Sequence, residues 1–429
     1  MSSFTRKTNR IGVSSSNACA PDAPDATNAT NATPGPGSGA AESRAAPTPT
    51  TNTTTTAGTR PSPTGGPHLI SSGCADLDKV LGGGLPLGTL TLFSQDGWTR
   101  HDEAFLKYVV SEAVAVGQSV GVVRHANDRY ADMKSLLMRR MSEAEAMKEA
   151  ATERAAQDAA RNETKLRIAW QYEKYAKKDA SSASQAPNSF APTTSRPALG
   201  KHVASARGAW CHDHDISKPP SDEELREMLH PASRSSSDLK TYTIDGAQRG
   251  VVAGIVEAVR AFSAAVNAKG PGTVGRLVIP CLGGVVWGME PDAVVNALVY
   301  IRSLVQDARP NIAVVVSVPP MESMRPSDAA RIQHASDGCF KLTAVDDRSS
   351  VVNLSADRNS VCGVMEIVRL PGSFGGIRSP MPEVRSYVIR NKRKRLALEM
   401  FAVDPDAEAS GSFLGSSGDG AVATASLEW

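Results

Sequence analysis

Phosphate-binding chemistry would be expected in the loop that follows the apolar strand Thr89–Phe93. A nucleotide-binding loop in that position has the pattern glycine, four residues, then Gly-Lys-Ser or Gly-Lys-Thr. Here Ser94 and Thr99 occupy the two glycine positions. Arg100 replaces the lysine, and His101 replaces the hydroxyl that binds magnesium. A phosphate cradle needs consecutive backbone N–H groups turned toward the anion, which bulky residues discourage. We therefore predict that this degenerate loop holds no nucleotide and that the chain carries no cofactor.

A second element of nucleotide hydrolysis, a strand that ends in aspartate, is also incomplete. The corresponding apolar strand, Leu277–Leu282, runs into Gly283 and offers no carboxylate. Glu290 lies farther along the chain, where it either acts on a neighbouring subunit's site or favours a helix N-terminus through the macrodipole. With both elements incomplete, we predict that this chain alone does not hydrolyse a nucleotide.

Two side chains of the degenerate loop have alternative interpretations. Arg100 either contacts an RNA phosphate or a neighbour's nucleotide, because the arginine fork fits phosphate oxygens, or it is an ordinary loop residue. Trp98 is either a platform on which a base stacks or a buried side chain. The sequence alone does not decide between these alternatives.

The strongest positive cluster is the stretch 390–395, between two apolar segments that read as a β-hairpin. Its cations are Arg390, Lys392, Arg393, Lys394 and Arg395. Exposed on a hairpin, they could neutralise several phosphates and give salt-sensitive binding without sequence reading. The alternatives are a solvated turn and a nuclear-import signal. We favour an RNA contact.

The segment Cys211-His-Asp-His-Asp215 contains several residue types that bind metals. Alternating residues of a strand face opposite sides, so these side chains cannot all reach one ion. His212 and His214 could share a face, but no second cluster of ligands is evident. We predict no metal site and interpret the segment as a packing and hydrogen-bonding motif.

These residues are expected to be positioned by an α/β domain. Residues 71–88 read as a short amphipathic helix, a turn forced by Gly82, Gly83 and Gly84, and a strand entered at Gly88. The strand–helix–strand pattern that follows implies a mostly parallel sheet covered by helices, and the C-terminal part is rich in strands. We predict helices at 102–116, 250–268 and 290–308, and strands at 88–93, 119–123, 276–282, 312–318, 338–344, 363–370, 384–390 and 396–403, the last two forming a hairpin.

Composition divides the 429 residues into one domain with flexible additions. The segments 1–58 and 405–429 contain few large apolar residues and are predicted to be disordered tails. The domain spans 59–404, with mobile insertions at about 142–164 and 176–207. The first insertion is rich in strong helix formers of mixed charge, so we expect an exposed helix there.

Charge and cysteine usage limit the classes of protein. The net charge of +2 says nothing about partners, and no apolar run approaches the roughly 20 residues that cross a bilayer, so we expect no membrane contact. Six cysteines show no Cys-x-x-Cys pair, which suits reduced thiols. We predict a cytoplasmic protein, with the nucleus as a further location.

Five segments in order resemble one family. They are Gly58-Thr-Arg-Pro-Ser62, the glycine-rich block that ends at Gly88, Leu166-Arg-Ile-Ala-Trp-Gln-Tyr172, Trp210-Cys-His-Asp-His-Asp-Ile-Ser217 and Leu282-Gly-Gly-Val-Val-Trp-Gly288. With the basic hairpin, they resemble the PAXNEB family, which supplies the fourth subunit of the Elongator complex. His214 departs from the pattern, since the family tends to have an aromatic residue there.

The resemblance implies a RecA-like three-layer fold without working nucleotide motifs. It further implies a hetero-hexameric ring with the fifth and sixth Elongator subunits, two copies of each. That ring binds tRNA and assists the Elongator core, which modifies the wobble uridine, U34; ATP hydrolysis is associated with the ring. Two other readings stay open: a divergent RecA-type ATPase that binds and hydrolyses ATP itself, and a transcription-linked scaffold without RNA contact.

Overall fold

A nine-stranded sheet forms the centre of the protein. The computed structural model describes residues 58–63, 66–131, 133–155, 158, 210–229, 238–245, 250–270, 272–306, 311–353, 355, 358–372, 382 and 384–401. The strands are β1 Thr59–Arg60, β2 Leu69–Ile70, β3 Leu85–Pro86, β4 Leu90–Ser94, β5 Ser119–His125, β6 Arg139–Arg140, β7 His214–Asp215, β8 Leu239–Ile244, β9 Gly275–Ile279, β10 Ile312–Val318, β11 Gly338–Ala344, β12 Val361–Arg369, β13 Ser386–Lys392 and β14 Arg395–Met400. The helices are α1 Ala75–Val80, α2 His101–Val116, α3 143–155, α4 Asp222–Leu229, α5 Val251–Ala268, α6 Pro291–Gln306, α7 Pro326–Ala335 and α8 Ser350–Asn353.

The strand order of the large sheet is β14-β13-β12-β11-β4-β10-β9-β5-β8. All neighbours from β11 to β8 are parallel, and the three pairings from β11 to β14 are antiparallel. Strand β4, which leads into the degenerate loop, therefore lies between β10 and β11, and β9 is separated from it by β10. Because parallel strands end at the same edge of a sheet, the loops after β4, β9 and β10 meet there.

Two apolar cores, one on each face of the sheet, make the fold three-layered. Along β9, Val278 faces the core that contains helix α2, while Leu277 and Ile279 face the core of α5, α6 and α7. This alternation is the period-two pattern of a strand buried on both faces. The predicted α/β fold with a mostly parallel sheet and a C-terminal antiparallel hairpin is confirmed.

Helix α5 packs closely because two strand glycines make room for its aromatic side chain. A Cβ atom on Gly121 would lie 2.7 Å from the Phe262 ring, and one on Gly275 would lie 3.0 Å from it. By length and composition alone, α5 is apolar enough to cross a membrane. Its buried residues instead pack on the sheet, as the core helix of an α/β domain does.

Strand β14 is an edge strand whose free side is covered by side chains. The Leu396 N–H donates to the Tyr108 hydroxyl at 3.0 Å, and the Leu398 N–H donates to Asp76 at 3.3 Å. An open edge would invite pairing with another strand, so these contacts limit that hazard.

The predicted element boundaries are close to those of the structure, with some omissions. Helix α2 and strands β10 and β11 match within one residue. The sequence reading missed β8, α4, α7 and the β6–β7 pair, which are short or largely exposed and give little periodicity. The predicted tails 1–58 and 405–429, apart from Gly58, lie outside the described residues, as do the insertion 176–207 and the segment 166–172.

Candidate functional site: a closed phosphate loop and a paired basic hairpin

The degenerate loop joins β4 to α2 at the carboxyl edge of the sheet. The turn that leads to β4 contains Gly82, Gly83, Gly84 and Gly88, all with positive φ. At Gly84 a side chain would also collide with the Ile70 carbonyl oxygen, at 2.4 Å. These positions fix where β4 begins and hence where the loop lies.

The carboxylate of Asp96 occupies the inside of this loop. Its Oδ1 accepts hydrogen bonds from the backbone N–H groups of Trp98, at 2.8 Å, and Thr99, and its Oδ2 accepts one from the Thr99 hydroxyl. Hydrogen bonds to the charged form hold the pKa of Asp96 below its usual range, although burial opposes them. A phosphate bound here would need such N–H donors, and they are already engaged by a negative charge.

Further carboxylates surround the N-terminus of α2. Asp102 is buried and accepts a hydrogen bond from the Gln95 amide at 2.7 Å, and burial raises its pKa. Glu103 pairs with Lys107 at 2.9 Å and Arg129 at 3.2 Å. The helix N-terminus that would attract a phosphate thus already faces acidic groups, which disfavours a triphosphate.

His101 does not offer the hydroxyl that a magnesium ion would need in this loop. Its Nδ1 lies 2.6 Å from the Thr99 hydroxyl and 3.8 Å from Asp96 Oδ2. Burial lowers the pKa of His101 despite the two nearby carboxylates, which favours the neutral ring. The imidazole is a partner of the loop's own hydrogen bonds.

The end of β9 also lacks a carboxylate among residues 280–284. Cys281, with φ of +47°, places its thiol 3.6 Å from the Gln95 amide oxygen, and its N–H donates to the Ser317 hydroxyl at 2.8 Å. These contacts join the ends of β4, β9 and β10. Glu290, which either acts on a neighbouring subunit's site or favours a helix N-terminus, is exposed just before α6.

Exposed apolar side chains occupy the same edge. Trp98 is 91% exposed and Val285 is fully exposed, while Val286 is 45% exposed. The buried alternative for Trp98 is therefore wrong. Arg100, two residues farther along the loop, is also exposed. Large apolar residues in such a position are typical of protein–protein contacts.

The basic hairpin is present, but most of its cations are ion-paired within the chain. Arg390 and Lys392 both contact Glu399, at 2.8 and 2.9 Å. Arg390 also donates to the hydroxyls of Ser360 and Ser355. Arg393, by contrast, is exposed, and no ion pair involves it within the described part of the chain.

The remaining two cations contact helix α3, inside the first predicted insertion. Lys394 lies 3.2 Å from Glu149, and the Arg395 guanidinium binds Glu153 through two nitrogens, one at 3.1 Å. The expected exposed helix is therefore docked on the hairpin through its acidic face. Glu145, Glu149 and Glu153 recur every four residues, a spacing that places them on one helix face and is visible in the sequence.

The two histidines of the Cys-His-Asp-His-Asp segment share a buried carboxylate. Glu112 accepts a hydrogen bond from the His212 N–H at 3.0 Å and lies within 2.9 and 3.0 Å of the rings of His212 and His214. These bonds lower the pKa of Glu112 to about 2, although burial opposes the shift. No group arranged to hold a metal ion is found in the described residues.

A buried guanidinium stabilises the segment that precedes α1. Arg276 Nε donates to Gln118 at 2.8 Å, and its Nη1 donates to the Ser71 carbonyl at 2.6 Å. Ser71 in turn donates to Asp78 at 2.6 Å. Burial lowers the pKa of Arg276 to about 10, while Glu112 and Asp78 oppose that shift.

The fold and the loop together define a class: a RecA-like α/β protein whose phosphate-loop position is filled by its own aspartate. Comparison with known sequences gives the family. The profile of the PAXNEB protein family matches residues 52–426, and the chain belongs to this family.

The chain is also similar to curated relatives over most of its length. It is 23% identical over 366 residues to Elongator complex protein 4 of Danio rerio, covering 81% of this chain and 85% of the relative. Identity to Elongator complex protein 4 of Xenopus laevis is 23% over 364 residues, 81% of this chain and 83% of the relative. The protein of that name from Drosophila melanogaster is 35% identical over 115 residues, 27% of this chain and 26% of the relative.

Proposed function

We propose that this chain is a non-catalytic, RecA-like subunit of the Elongator complex, in its accessory hexameric ring, and that it supports modification of the wobble uridine, U34, of tRNA. The relatives named Elongator complex protein 4 match it along four fifths of its length. The observation that carries the non-catalytic part is the Asp96 carboxylate, which takes the N–H groups that a phosphate would need.

Nucleotide chemistry in this proposal belongs to other subunits. Three carboxylates, Asp96, Asp102 and Glu103, lie where a triphosphate would add three to four negative charges. Arg100 stands where the loop would have its lysine, and residues 280–284 after β9 contain no acid. Each feature disfavours nucleotide binding for a separate electrostatic reason.

Ring assembly would use the carboxyl edge of the sheet. Trp98, Val285 and Val286 are exposed there, and Cys281 and Gln95 join the two loops that carry them. A surface of this kind fits a partner of similar fold, which in the proposal is the fifth or sixth Elongator subunit. Arg100 and Glu290 would lie at the same contact, where a neighbour's nucleotide could meet them.

RNA contact would use the basic hairpin. Arg393 is exposed at its tip, and Lys392 and Lys394 flank it in weak, partly exposed ion pairs. Contacts of this type bind phosphates without reading bases and weaken with salt. Binding would occur in the cytoplasm, with the nucleus as a further location that cell fractionation tests.

A tagged pull-down from the native cells, followed by mass spectrometry of the intact eluate, tests the assembly. We expect two other RecA-like subunits at two copies each, with or without the Elongator core. Replacing Trp98 and Val285 with serine should reduce their recovery at least tenfold, whereas Met147→Ser on the exposed side of α3 should not. Recovery of the chain alone would contradict the proposal.

ATP titration of the isolated full chain separates the proposal from an ATPase. We expect no saturable binding at millimolar ATP, because the Asp96 carboxylate already occupies the N–H groups that a phosphate would need. Saturable binding that Arg100→Ala abolishes would instead support the divergent ATPase. For the RNA contact, alanine at Lys392 and Arg393 should weaken tRNA binding by the assembled ring about thirtyfold, since each of the two phosphate contacts is worth on the order of 1 kcal/mol. Unchanged affinity would favour a scaffold without RNA contact.

A further inference from the structure

We propose that helix α3 is an intramolecular competitor of RNA for the basic hairpin, so that its acidic face covers two of the cations until RNA displaces it. This inference rests on the proposed RNA contact of the hairpin. It adds a regulated state, in which the hairpin is occupied by the chain's own carboxylates.

The acidic face matches the hairpin in spacing and in charge. Glu149 contacts Lys394 and Glu153 contacts Arg395, so that two successive carboxylates of the acidic face meet two successive cations of the hairpin. The Arg395 contact is bidentate, which is also how arginine binds a phosphate. While the Glu153 carboxylate occupies the Arg395 guanidinium, an RNA phosphate oxygen cannot bind in the same place.

The N-terminal end of α3 is anchored separately. Ser142 and Glu145 form a reciprocal capping box, at 3.1 and 3.3 Å. Arg139 then binds Glu145 at 2.8 Å and Glu224 of α4 at 3.3 Å. Loss of the two hairpin contacts would therefore release one end of the helix and leave the other end attached.

The strength of the contact suits displacement. The Lys394 and Arg395 side chains are 26% and 37% exposed, so solvent reaches both ion pairs and salt screens them, the bidentate Arg395 pair being the stronger of the two. Arg393 is exposed at the hairpin tip, next to the covered cations, so it can meet a phosphate before the helix moves. A polyanion that binds there gains two further cations when the helix leaves.

The Ile216 N–H donates to the Lys394 carbonyl at 2.9 Å, which places exposed Lys218 two residues from the contact. Asp213, also exposed, contributes an opposing charge near Arg395. The surface around the covered cations thus carries both positive and negative charges. The two glutamates of α3 are the charged groups that contact Lys394 and Arg395 directly.

The test is the affinity of the full chain in its native assembly for a fluorescent tRNA, measured by anisotropy across salt. The double variant Glu149→Gln, Glu153→Gln keeps the helix formers and removes the two charges. We expect binding about three- to thirtyfold tighter, because the two ion pairs no longer compete with RNA. We also expect the slope of log K against log salt to steepen by up to about 1.4 to 1.8, because the displaced glutamates of the parent take up cations that offset those released from two phosphates.

Three controls separate the explanations. Glu143→Gln removes an exposed charge from the same helix that makes no ion pair within the described residues; an equal gain in affinity would mean simple loss of repulsion and would overturn the proposal. The pair Glu149→Asp, Glu153→Asp keeps the charge and should bind less tightly than the glutamine pair. Suppose that the glutamine pair binds as the parent does while alanine at Lys392 and Arg393 weakens binding. The proposal that α3 competes with RNA is then wrong, and the RNA contact stands. If neither set of changes alters binding, the RNA contact itself is wrong.

Discussion

Replacing Glu112 with glutamine should lower the free energy of unfolding by about 3 kcal/mol at pH 7, and the loss should shrink in acid. The carboxylate is fully buried and accepts hydrogen bonds from a backbone N–H and from two imidazoles. Glutamine keeps the shape of the side chain but not its charge. Its amide NH₂ group would face the groups of His212 and His214 that contact an anionic oxygen in the parent protein. The histidine segment would lose its main attachment to α2.

The magnitude follows from the pKa. It falls from an ordinary 4.5 to about 2 in the folded protein. A difference of about 2.5 units corresponds to about 3 kcal/mol at 1.36 kcal/mol per unit. Because the folded pKa is depressed, this stability is fully present above pH 4.5 and is lost as the pH falls toward 2. Linkage then leaves about 1 kcal/mol at pH 3, a decrease of about 2 kcal/mol from pH 7.

The assay is urea unfolding of the parent and Glu112→Gln at pH 7, 4 and 3. Other carboxylates titrate in both proteins, so the difference between the two isolates Glu112. Glu143→Gln, an exposed change, should behave as the parent does at each pH. A difference between parent and Glu112→Gln that stays constant from pH 7 to pH 3 would refute the reasoning.

Three further substitutions test the packing that positions the site. Arg276→Ala should lower the free energy of urea unfolding by about 3–5 kcal/mol, because Glu112 and Asp78 lose a buried cation. Arg276→Met should cost less, since methionine fills the volume. Equal costs for the two variants would contradict this account. Gly121→Val should cost about 1–3 kcal/mol or more by overpacking Phe262 and Leu277, whereas Gly97→Ala, in open space, should cost under about 0.5 kcal/mol. Tyr108→Phe should cost about 1–3 kcal/mol because the buried Leu396 N–H loses its acceptor, and faster hydrogen exchange of that amide is the direct readout.

Local patterns in the sequence were enough to predict the frame of the fold. Strand β10 is seven apolar or small residues in succession, and the structure buries all of them. Helix α2 ends at Val116 and is capped by Gly117, which takes the left-handed conformation. Both signals depend on neighbours within a few residues. Strand β8, with only one fully buried residue, lacked such a signal and was missed.

The sequence by itself also determined which nucleotide groups are missing, since a lysine or an aspartate is either present at a position or absent. Tertiary structure decided how the remaining side chains are used. Glu112 meets the histidines across 100 and 102 residues of chain, and Glu153 meets Arg395 across 242. Exposure of Trp98 and pairing of the hairpin cations likewise depend on which elements pack together. Ion pairs and burial arise from distances in space, which separation along the chain does not fix.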